Sequence, residues 1–383
     1  MSSLQLTRQR RVIHGSSLAK HRKSHTFEQQ QPWHISCSSH GAMLLHKHLT
    51  PELKSRLERL TTRNGWTLRK TIQSGLDHGD SQMGVYAGDS ESYALFSPLL
   101  HPIIRDHSGH DLSGHTSDFS LDGLPQGDLD PTGEFILSTR VRVGRNLARY
   151  AFPPAIGARD RAALEAEVVQ VLSGLRGHLA GKYHPLASLS EAERLELVHH
   201  HVLFQQSDRF LDSAGVNRDW PRNRGIFHSA DMRFIVWVGE EDALRIISMQ
   251  PGSGLAQTYL RLQTALEQFD GQLDFAQDSR LGFLTACPTN LGTAMRASVL
   301  IRLPHLSRRP DFRARCARLG LAVRGLHGEH SEARDGIHDV SNATRLGVTE
   351  RDIYEQLRTG IHALMEMESA ARKRGHPKVA PGN

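Results

Sequence analysis

The sequence predicts an α+β fold in which a small helical part precedes a larger part of mixed strands and helices. Leucines at helical spacing dominate residues 44–105. A helix begins there at Thr50-Pro51, because threonine caps the first N–H groups and proline suits the first helical position. From Phe135 onward, short apolar runs joined by short turns alternate with amphipathic helices, which is typical of a strand meander.

Composition places the boundaries of these parts. We predict a disordered basic tail over 1–40, a helical domain over 41–127, a strand-rich domain over 128–372 and a second tail over 373–383. A stretch rich in Asp, Gly, Ser, His and Pro, residues 106–133, links the two domains. No internal repeat is present.

The second domain opens with a strand in which Arg140 and Arg142 alternate with apolar residues and so share one face. A capping box at Ser190 and Glu193 begins a helix. Further helices are predicted at 158–175, 254–268, 310–319 and after Thr349. Further strands are predicted at 225–228, 232–238, 243–249, 282–287, 299–303 and 321–325.

Charge and cysteine content exclude several classes of protein. The net charge is +6, but residues 1–27 hold six basic and no acidic residues, so the rest of the chain is formally neutral. A nucleic-acid-binding protein is expected to have a basic face on its folded part. The three cysteines do not suit a disulfide scaffold, and no apolar run is long enough to span a membrane. We expect a cytoplasmic protein without a nucleic-acid or membrane partner.

The basic tail leaves three interpretations open. It has the Ser- and Arg-rich, acid-free composition of a mitochondrial transit peptide. A disordered extension has the same composition. The third interpretation is upstream sequence before a start at Met43, where the folded pattern begins.

One stretch, residues 282–302, has the composition of a reactive site. An apolar run ends at Cys287, Pro288 ends any strand ladder, and a polar turn leads to Arg296. The alternative is a structural cysteine before an ordinary turn. The neighbouring cations, amides and Thr289 predict a stabilised thiolate at Cys287.

Five arginines each lie beside an apolar strand pattern, where an arginine is not needed for solubility. Each one alone suits a surface ion pair, but together they suit the oxygens of a triphosphate. The chain has no GxxxxGK[ST] or strand-linked GxGxxG motif, so side chains would hold the nucleotide. The five are Arg140, Arg142, Arg245, Arg296 and Arg324.

Two clusters of acidic residues could bind a cation, although each taken alone is more simply interpreted as a solvated acidic turn. They are the 240–242 turn, Glu-Glu-Asp, and the Gly-containing loop with Glu329 and Glu332. Histidines are numerous, at 24, but no HExxH motif occurs, and we predict no metal held by the protein itself.

Five motifs resemble those of the ATP:guanidino phosphotransferases, the phosphagen kinase family, and most closely its arginine kinases. They occur in the family's order at 138–142, 220–227, 240–249, 287–293 and 324–330, and the resemblance covers 44–368. The third of these begins at the acidic turn, and the fourth reads Cys-Pro-Thr-Asn-Leu-Gly-Thr. Bacterial protein-arginine kinases of the same superfamily lack the small helical domain.

The resemblance implies a small all-α N-terminal domain and a larger C-terminal domain with an antiparallel β-sheet flanked by helices. It implies reversible transfer of the γ-phosphoryl group of ATP to the guanidinium of free L-arginine, giving ADP and phosphoarginine. Mg²⁺ would be carried on the nucleotide, and the enzyme would be a monomer or homodimer. A kinase for taurocyamine, glycocyamine or protein arginine is the alternative.

The resemblance also assigns roles to residues. Glu241, Glu329 and Cys287 would be catalytic. Glu241 and Cys287 would also bind the guanidino substrate, together with a loop whose backbone amides meet its carboxylate: Ser81, Gln82, Met83, Gly84 and Tyr86. The nucleotide would contact Ser138, Thr139, Arg140, Val141, Arg142, His201, Arg245, Arg296, Ala297, Ser298, Val299, Arg324, Gly325, His327, Gly328 and Glu329.

Four positions depart from the family pattern, and one further pair matches it. Gln82 and Met83 stand where arginine kinases commonly have glycine and valine, and Ala243 and Leu300 stand where the family usually has histidines. Asp80 and Arg209 match a pair that links the substrate loop to the C-terminal domain.

Overall fold

The computed structural model describes residues 43–200, 202–204, 208–324 and 336–375, with side chains as far as 373. All of them belong to one compact unit, residues 35–383.

Residues 43–108 contain short helices and no strand. Thr50 Oγ1 accepts the Leu53 N–H at the start of the second helix, as predicted. Asp89 caps the fourth helix through a capping box with Ser92. The helices are α1 (Leu44–His48), α2 (Pro51–Leu57), α3 (Leu68–Asp77), α4 (Ser90–Leu95) and α5 (Ser97–Ser108).

The larger part is built on one antiparallel sheet that contains eight of the strands in the described residues, in the order β2-β3-β4-β5-β1-β8-β10-β9. Two further strands, β6 and β7, form a small ribbon. The strands are β1 (Ile136–Arg145), β2 (Gly181–Pro185), β3 (Gly225–Ser229), β4 (Phe234–Val238), β5 (Leu244–Pro251), β6 (Gln277–Asp278), β7 (Gly282–Phe283), β8 (Met295–Arg302), β9 (Leu321–Arg324) and β10 (Ile337–Asn342).

Helices cover the faces of this sheet. Between and after the strands lie α6 (Ala158–Ser173), α7 (Glu191–His199), α8 (Arg209–Ser213), α9 (Leu255–Phe269), α10 (Phe312–Arg318) and α11 (Glu350–Gly375). The small helical part and the helix-flanked antiparallel sheet confirm the predicted fold class.

Alternation along the strands gives the sheet two different faces. On one face Val141, Val236 and Val299 are fully buried in the main core, which includes buried side chains of α6, α9 and α11. On the other face Trp237 packs in a smaller cluster with Leu197 and Phe204. Thus β1 turns its valines to the main core and Arg140 and Arg142 to the opposite face.

The predicted strand over 282–287 is largely wrong. Only Gly282 and Phe283 are in a strand. Hydrogen bonds to other segments of the chain hold the backbone of the remaining residues. The Ala286 N–H donates to Asp242 Oδ1 at 2.7 Å, and the Ala286 carbonyl accepts the Ala87 N–H at 2.8 Å. Three strands, β2, β6 and β10, were not predicted, because their short or polar sequences lack a clear apolar alternation.

We expect the packing of α11 on the sheet to be a main source of stability. Replacing Leu357, which is fully buried, with alanine should lower the free energy of unfolding by ~2–5 kcal/mol, because it leaves a cavity. Urea denaturation measures this. Leu260→Ala on α9 is the control, because that side chain is 37% exposed; equal losses in the two variants would contradict the assignment.

Candidate active site

Arginines from several strands lie together on the face of the sheet opposite the main core. Arg142 on β1 is the Cα partner of Arg296 on β8, and Arg245 follows on β5, on the other side of β1. Trp237 on β4 is paired in register with Arg245 and lies 5.6 Å from the Arg140 guanidinium. Four of the five predicted arginines therefore meet in one place, which we call the arginine face; Arg324 ends β9 beside β10.

Two of the four arginines on this face, Arg245 and Arg296, have protein partners that hold them. Arg245 donates to Glu240 at 2.9 Å and to Glu241 at 2.8 Å. Arg296 donates to Asp339 on β10 at 2.8 Å. These ion pairs orient the guanidinium groups within the sheet's face.

Arg140 and Arg142 differ, since neither side chain has a hydrogen bond or ion pair within the part of the chain that the structure describes. Burial, followed by Arg245 and Arg296, lowers the pKa of Arg140 to about 10. Burial, followed by Arg245 and Arg140, lowers the pKa of Arg142 well below its ordinary value. Both guanidinium groups would be stabilised by an anion, which restores the charge balance.

The residues next to these arginines in the predicted nucleotide site divide by face. The side chains of Val141, Ala297 and Val299 lie in the main core, and Thr139 Oγ1 is 3.1 Å from Thr258 Oγ1 of α9. These four side chains are therefore not on the arginine face. Ser138 and Ser298 alternate with them, and Ser298 is the Cα partner of Arg140.

Sequence reasoning missed another cation of this site, Arg345. Its Nη1 donates to the Thr289 carbonyl at 3.0 Å. Burial, then Arg296 and Arg324, lowers the pKa of Arg345 to about 10. The adjacent strand β10 was not predicted, so nothing in the sequence placed this arginine near a strand end.

A carboxylate and a thiol lie beside the arginine face. Glu241 Oε2 accepts Arg245 Nη2, and it accepts Asn290 Nδ2 at 3.2 Å. Cys287 Sγ is 3.1 Å from Thr289 Oγ1. A carboxylate and a thiol on adjoining turns suit a planar cation with several N–H donors.

The prediction of a stabilised thiolate at Cys287 is wrong for the protein without substrate, because the surrounding protein groups favour the neutral thiol. Burial, and next the negative charge of Glu241, raise the pKa of Cys287 to about 12. These effects exceed the opposing hydrogen bond from Thr289. The sequence-based prediction took account of the neighbouring cations but not of burial or of the negative charge of Glu241.

Asp242 ties the parts of the site together, and the sequence did not indicate this role. Its Oδ1 accepts the Ala286 N–H and Asn146 Nδ2, each at 2.7 Å, and Asn146 Oδ1 accepts the Ala243 N–H at 2.8 Å. A Cβ at Gly144 would lie 2.9 Å from Asp242 Oδ2, so glycine permits this close approach. Burial, followed by Glu241, raises the pKa of Asp242 to about 7.

The predicted substrate loop, residues 80–86, reaches this site from the helical part. Burial, followed by the charge of Cys287, raises the pKa of Tyr86 well above its ordinary value, so the buried phenol lies near this thiol. Arg209 forms an ion pair with Asp80, as the resemblance implied. Gln82 has an exposed side chain and no positive φ, so this loop takes its shape without a glycine there.

Several predicted site residues lie outside the described residues. They are His201, Gly325, His327, Gly328 and Glu329. Their roles stay predictions.

Two kinds of feature are absent from the described residues. No group of three or more His, Cys, Asp or Glu side chains there is arranged to hold a metal ion. None of the helices described is long and apolar enough to cross a membrane.

Comparison with known proteins identifies the class. Residues 39–105 match the N-terminal domain of the ATP:guanido phosphotransferases, and residues 163–371 match their C-terminal catalytic domain. The chain belongs to this family and is a phosphotransferase.

The relatives include arginine kinases of several animals. That of Limulus polyphemus is 46% identical over 86% of this chain and 93% of its own length. That of Liolophura japonica is 43% identical, over 88% of this chain and 97% of its own length. A relative from Anthopleura japonica is 46% identical over 86% of this chain, which spans about half, 47%, of that protein.

Solved structures of the family have the same fold. A lombricine kinase superposes with a TM-score of 0.83 at 33% identity, covering 88% of this chain and 94% of its own. The duplicated taurocyamine kinase of Schistosoma mansoni has a TM-score of 0.83 at 37% identity, covering 88% of this chain and 48% of its own.

The raised pKa of Asp242 predicts a pH-dependent stability. A carboxyl group whose folded-state pKa is raised stabilises the fold when protonated, and this contribution is lost as pH rises from about 4 to about 7. The free energy of unfolding of the wild type should therefore fall relative to Asp242→Asn between about pH 5 and 7. The difference should approach ~1 kcal/mol per pH unit.

Urea titrations of both proteins at each pH measure this difference. Asp231→Asn is the matched control, because hydrogen bonds from Ser229 and Arg233 lower the pKa of that carboxylate. A pH-independent difference between the wild type and Asp242→Asn would show that Asp242 is ionised throughout.

Proposed function

We propose that this phosphotransferase is an arginine kinase, which reversibly transfers the γ-phosphoryl group of ATP to the guanidinium of free L-arginine. The observation that carries the proposal is the adjacency of two sites of opposite charge preference. Arg140 and Arg142, unpaired within the described residues, suit phosphate oxygens. Glu241 and Cys287 beside them suit a guanidinium. The two reactants would thus meet at the boundary.

The arginine face performs the phosphate half of the reaction. Phosphoryl transfer needs little covalent chemistry from the protein, so catalysis consists mainly of positioning and charge neutralisation. Arginines bind phosphate oxygens bidentately and remain charged. Arg140 Nε is buried without a partner among the described residues, which fits a donor reserved for an anion.

Magnesium would enter on the nucleotide, and the residues present fit it. Glu240 Oε2 and Asp339 Oδ1 are buried carboxylate oxygens without partners in the described part of the chain. Oxygen atoms of this kind suit the water shell of Mg²⁺. When bound with the nucleotide, the ion would supply positive charge near the phosphates. Glu240 and Asp339 form ion pairs with Arg245 and Arg296 and orient them.

Glu241 and Cys287 perform the guanidinium half. Glu241 is close enough to Cys287 to raise the pKa of the thiol, and burial raises the pKa of Glu241 itself. A guanidinium between them would reverse both effects, because a nearby cation favours each anionic form. Glu241 would then align one guanidinium nitrogen and accept its proton, and Cys287 would polarise the group without forming a covalent bond. Glu329 is proposed as the second carboxylate.

Free arginine is favoured as the substrate by the relatives. Those of Limulus and Liolophura are arginine kinases and align over nearly their whole length. Tyr86 lies at the Cys287 thiol, in the loop that the resemblance assigns to the amino-acid end of the substrate. The solved lombricine and taurocyamine kinases make another guanidino compound the second candidate.

The remaining assignments are part of the same proposal. The nucleotide is ATP or ADP. We place the enzyme in the cytoplasm as a monomer or homodimer, acting on a small guanidino compound without a nucleic-acid or membrane partner. The neutral charge balance outside residues 1–27 supports the absence of a nucleic-acid partner.

A coupled ADP-release assay tests the substrate. Arginine should give a kcat/KM at least about tenfold above creatine, taurocyamine, glycocyamine and lombricine, because one altered group in a fitted pocket changes discrimination by that factor. Glu241→Gln is the control for contaminating ATPase and should abolish the signal. Preference for another guanidino compound, or phosphorylation of casein-like protein but not free arginine, would overturn the proposal.

Cys287→Ser tests the role of the thiol. The variant should retain its KM for arginine within a small factor but lose at least about tenfold in kcat, equivalent to ~1.4 kcal/mol of transition-state stabilisation. Cys316→Ser is the matched control, because Cys316 is buried in the main core. Steady-state kinetics over pH 6–9 measure both. Unchanged kcat at every pH would remove Cys287 from the mechanism.

A further inference from the structure

The substrate loop is held from behind by the start of α1. The Leu44 N–H donates to the Gln82 carbonyl at 3.1 Å, and the Leu45 N–H donates to the Met83 carbonyl at 3.2 Å. These donors belong to the first turn of a helix, where N–H groups have no partner within the helix. The loop carbonyls therefore satisfy α1, and α1 fixes the direction of two successive peptide groups.

The direction of these peptide groups decides what the loop can bind. In a trans peptide the carbonyl and the following N–H point in opposite directions. Because the Gln82 carbonyl faces α1, the Met83 N–H faces away from it. That N–H has no hydrogen-bond partner among the described residues, whereas the next, Gly84 N–H, donates to Ser81 Oγ at 3.0 Å. The Met83 N–H is thus left available on the side away from α1.

Close packing keeps the loop in this orientation. Gly84 has φ of +76°, and a Cβ there would lie 2.4 Å from Met43 Sδ. On the other side, a Cβ at Gly75 of α3 would lie 2.6 Å from the Gly84 carbonyl oxygen. Met43 is only 2% exposed. The loop is therefore clamped between Met43 and α3, with glycine at both contacts.

We propose that Met43 is a specificity-determining residue: together with the first N–H groups of α1, it sets the peptide orientation with which the loop recognises the carboxylate of the guanidino substrate. This rests on the proposed function, because it requires a substrate with a carboxylate at the end opposite the guanidinium. Met43 touches the loop and not the substrate, so it is a positioning residue. Gln82 is tolerated because only its backbone takes part.

The test compares substrates with and without the carboxylate. Met43→Ala removes the side chain over Gly84 and should raise the KM for L-arginine by about tenfold, since a hydrogen bond to a charged group is worth at least that factor. The inhibition constant of agmatine, the decarboxylated analogue, and the KM for ATP should change less than about twofold. Met43→Leu, which restores the volume, should recover the wild-type KM for arginine.

Leu57→Ala is the matched control, because Leu57 is equally buried in the helical part and lies on α2. It should lower the melting temperature similarly without changing the ratio of the arginine and agmatine constants. An equal change in both constants for Met43→Ala, or no change in either, would overturn the inference. A wild-type enzyme inactive on arginine would instead overturn the proposed function.

Discussion

The repulsion among like charges on one face of the sheet is the constraint on which the site depends. Two guanidinium groups ~4 Å apart at an effective dielectric constant of ~20 repel each other by ~4 kcal/mol. The fold brings four arginines, Arg140, Arg142, Arg245 and Arg296, onto neighbouring strands. Three carboxylates, Glu240, Glu241 and Asp339, neutralise only part of this positive charge. The remainder is concentrated on β1, in the middle of the sheet.

Such a face needs a rigid support, and the opposite face provides it. The residues that alternate with the arginines on β1 and β8 are all fully buried, and the apolar ones, which include Val141, Val143 and Ala297, belong to the main core. Each of these strands therefore carries buried core side chains, which stabilise the fold, on one face and mutually repelling arginines on the other. The hydrogen-bond ladder prevents the arginines from relaxing apart, because separating them would also expose the core.

Much of the fold could be predicted from the sequence, because its signals are local. The cap at Thr50, the capping box at Ser190 and the apolar runs of β4 and β5 each determine their element within a few residues. By contrast, β10 has no apolar alternation of its own and exists because β8 and β9 offer it partners. Elements defined by their neighbours are not visible in a single sequence.

The same distinction applies to the site. Arg140, Arg142 and Arg245 could be found because strand alternation places them on one face. Asp242 and Arg345 could not, because their roles depend on contacts with residues distant in the chain, such as Ala286 and Thr289. The protonation of Cys287 was mistaken for a related reason: it depends on the burial of the sulfur and on the charge of Glu241, which lies on another turn of the chain.

The segment 284–287 joins these parts. Asp242 fixes it to the turn that carries Glu241, Asn146 fixes it to the end of β1, and Tyr93 of α4 donates to the Thr285 carbonyl at 2.7 Å. The phosphate side of the site, its guanidinium side and the helical part are thereby all hydrogen-bonded to one short piece of backbone. An in-line transfer tolerates little error in the distance between its two reactants. One rigid segment that supports both halves of the site keeps this distance better than two separate supports would, because a displacement of the segment moves both halves together.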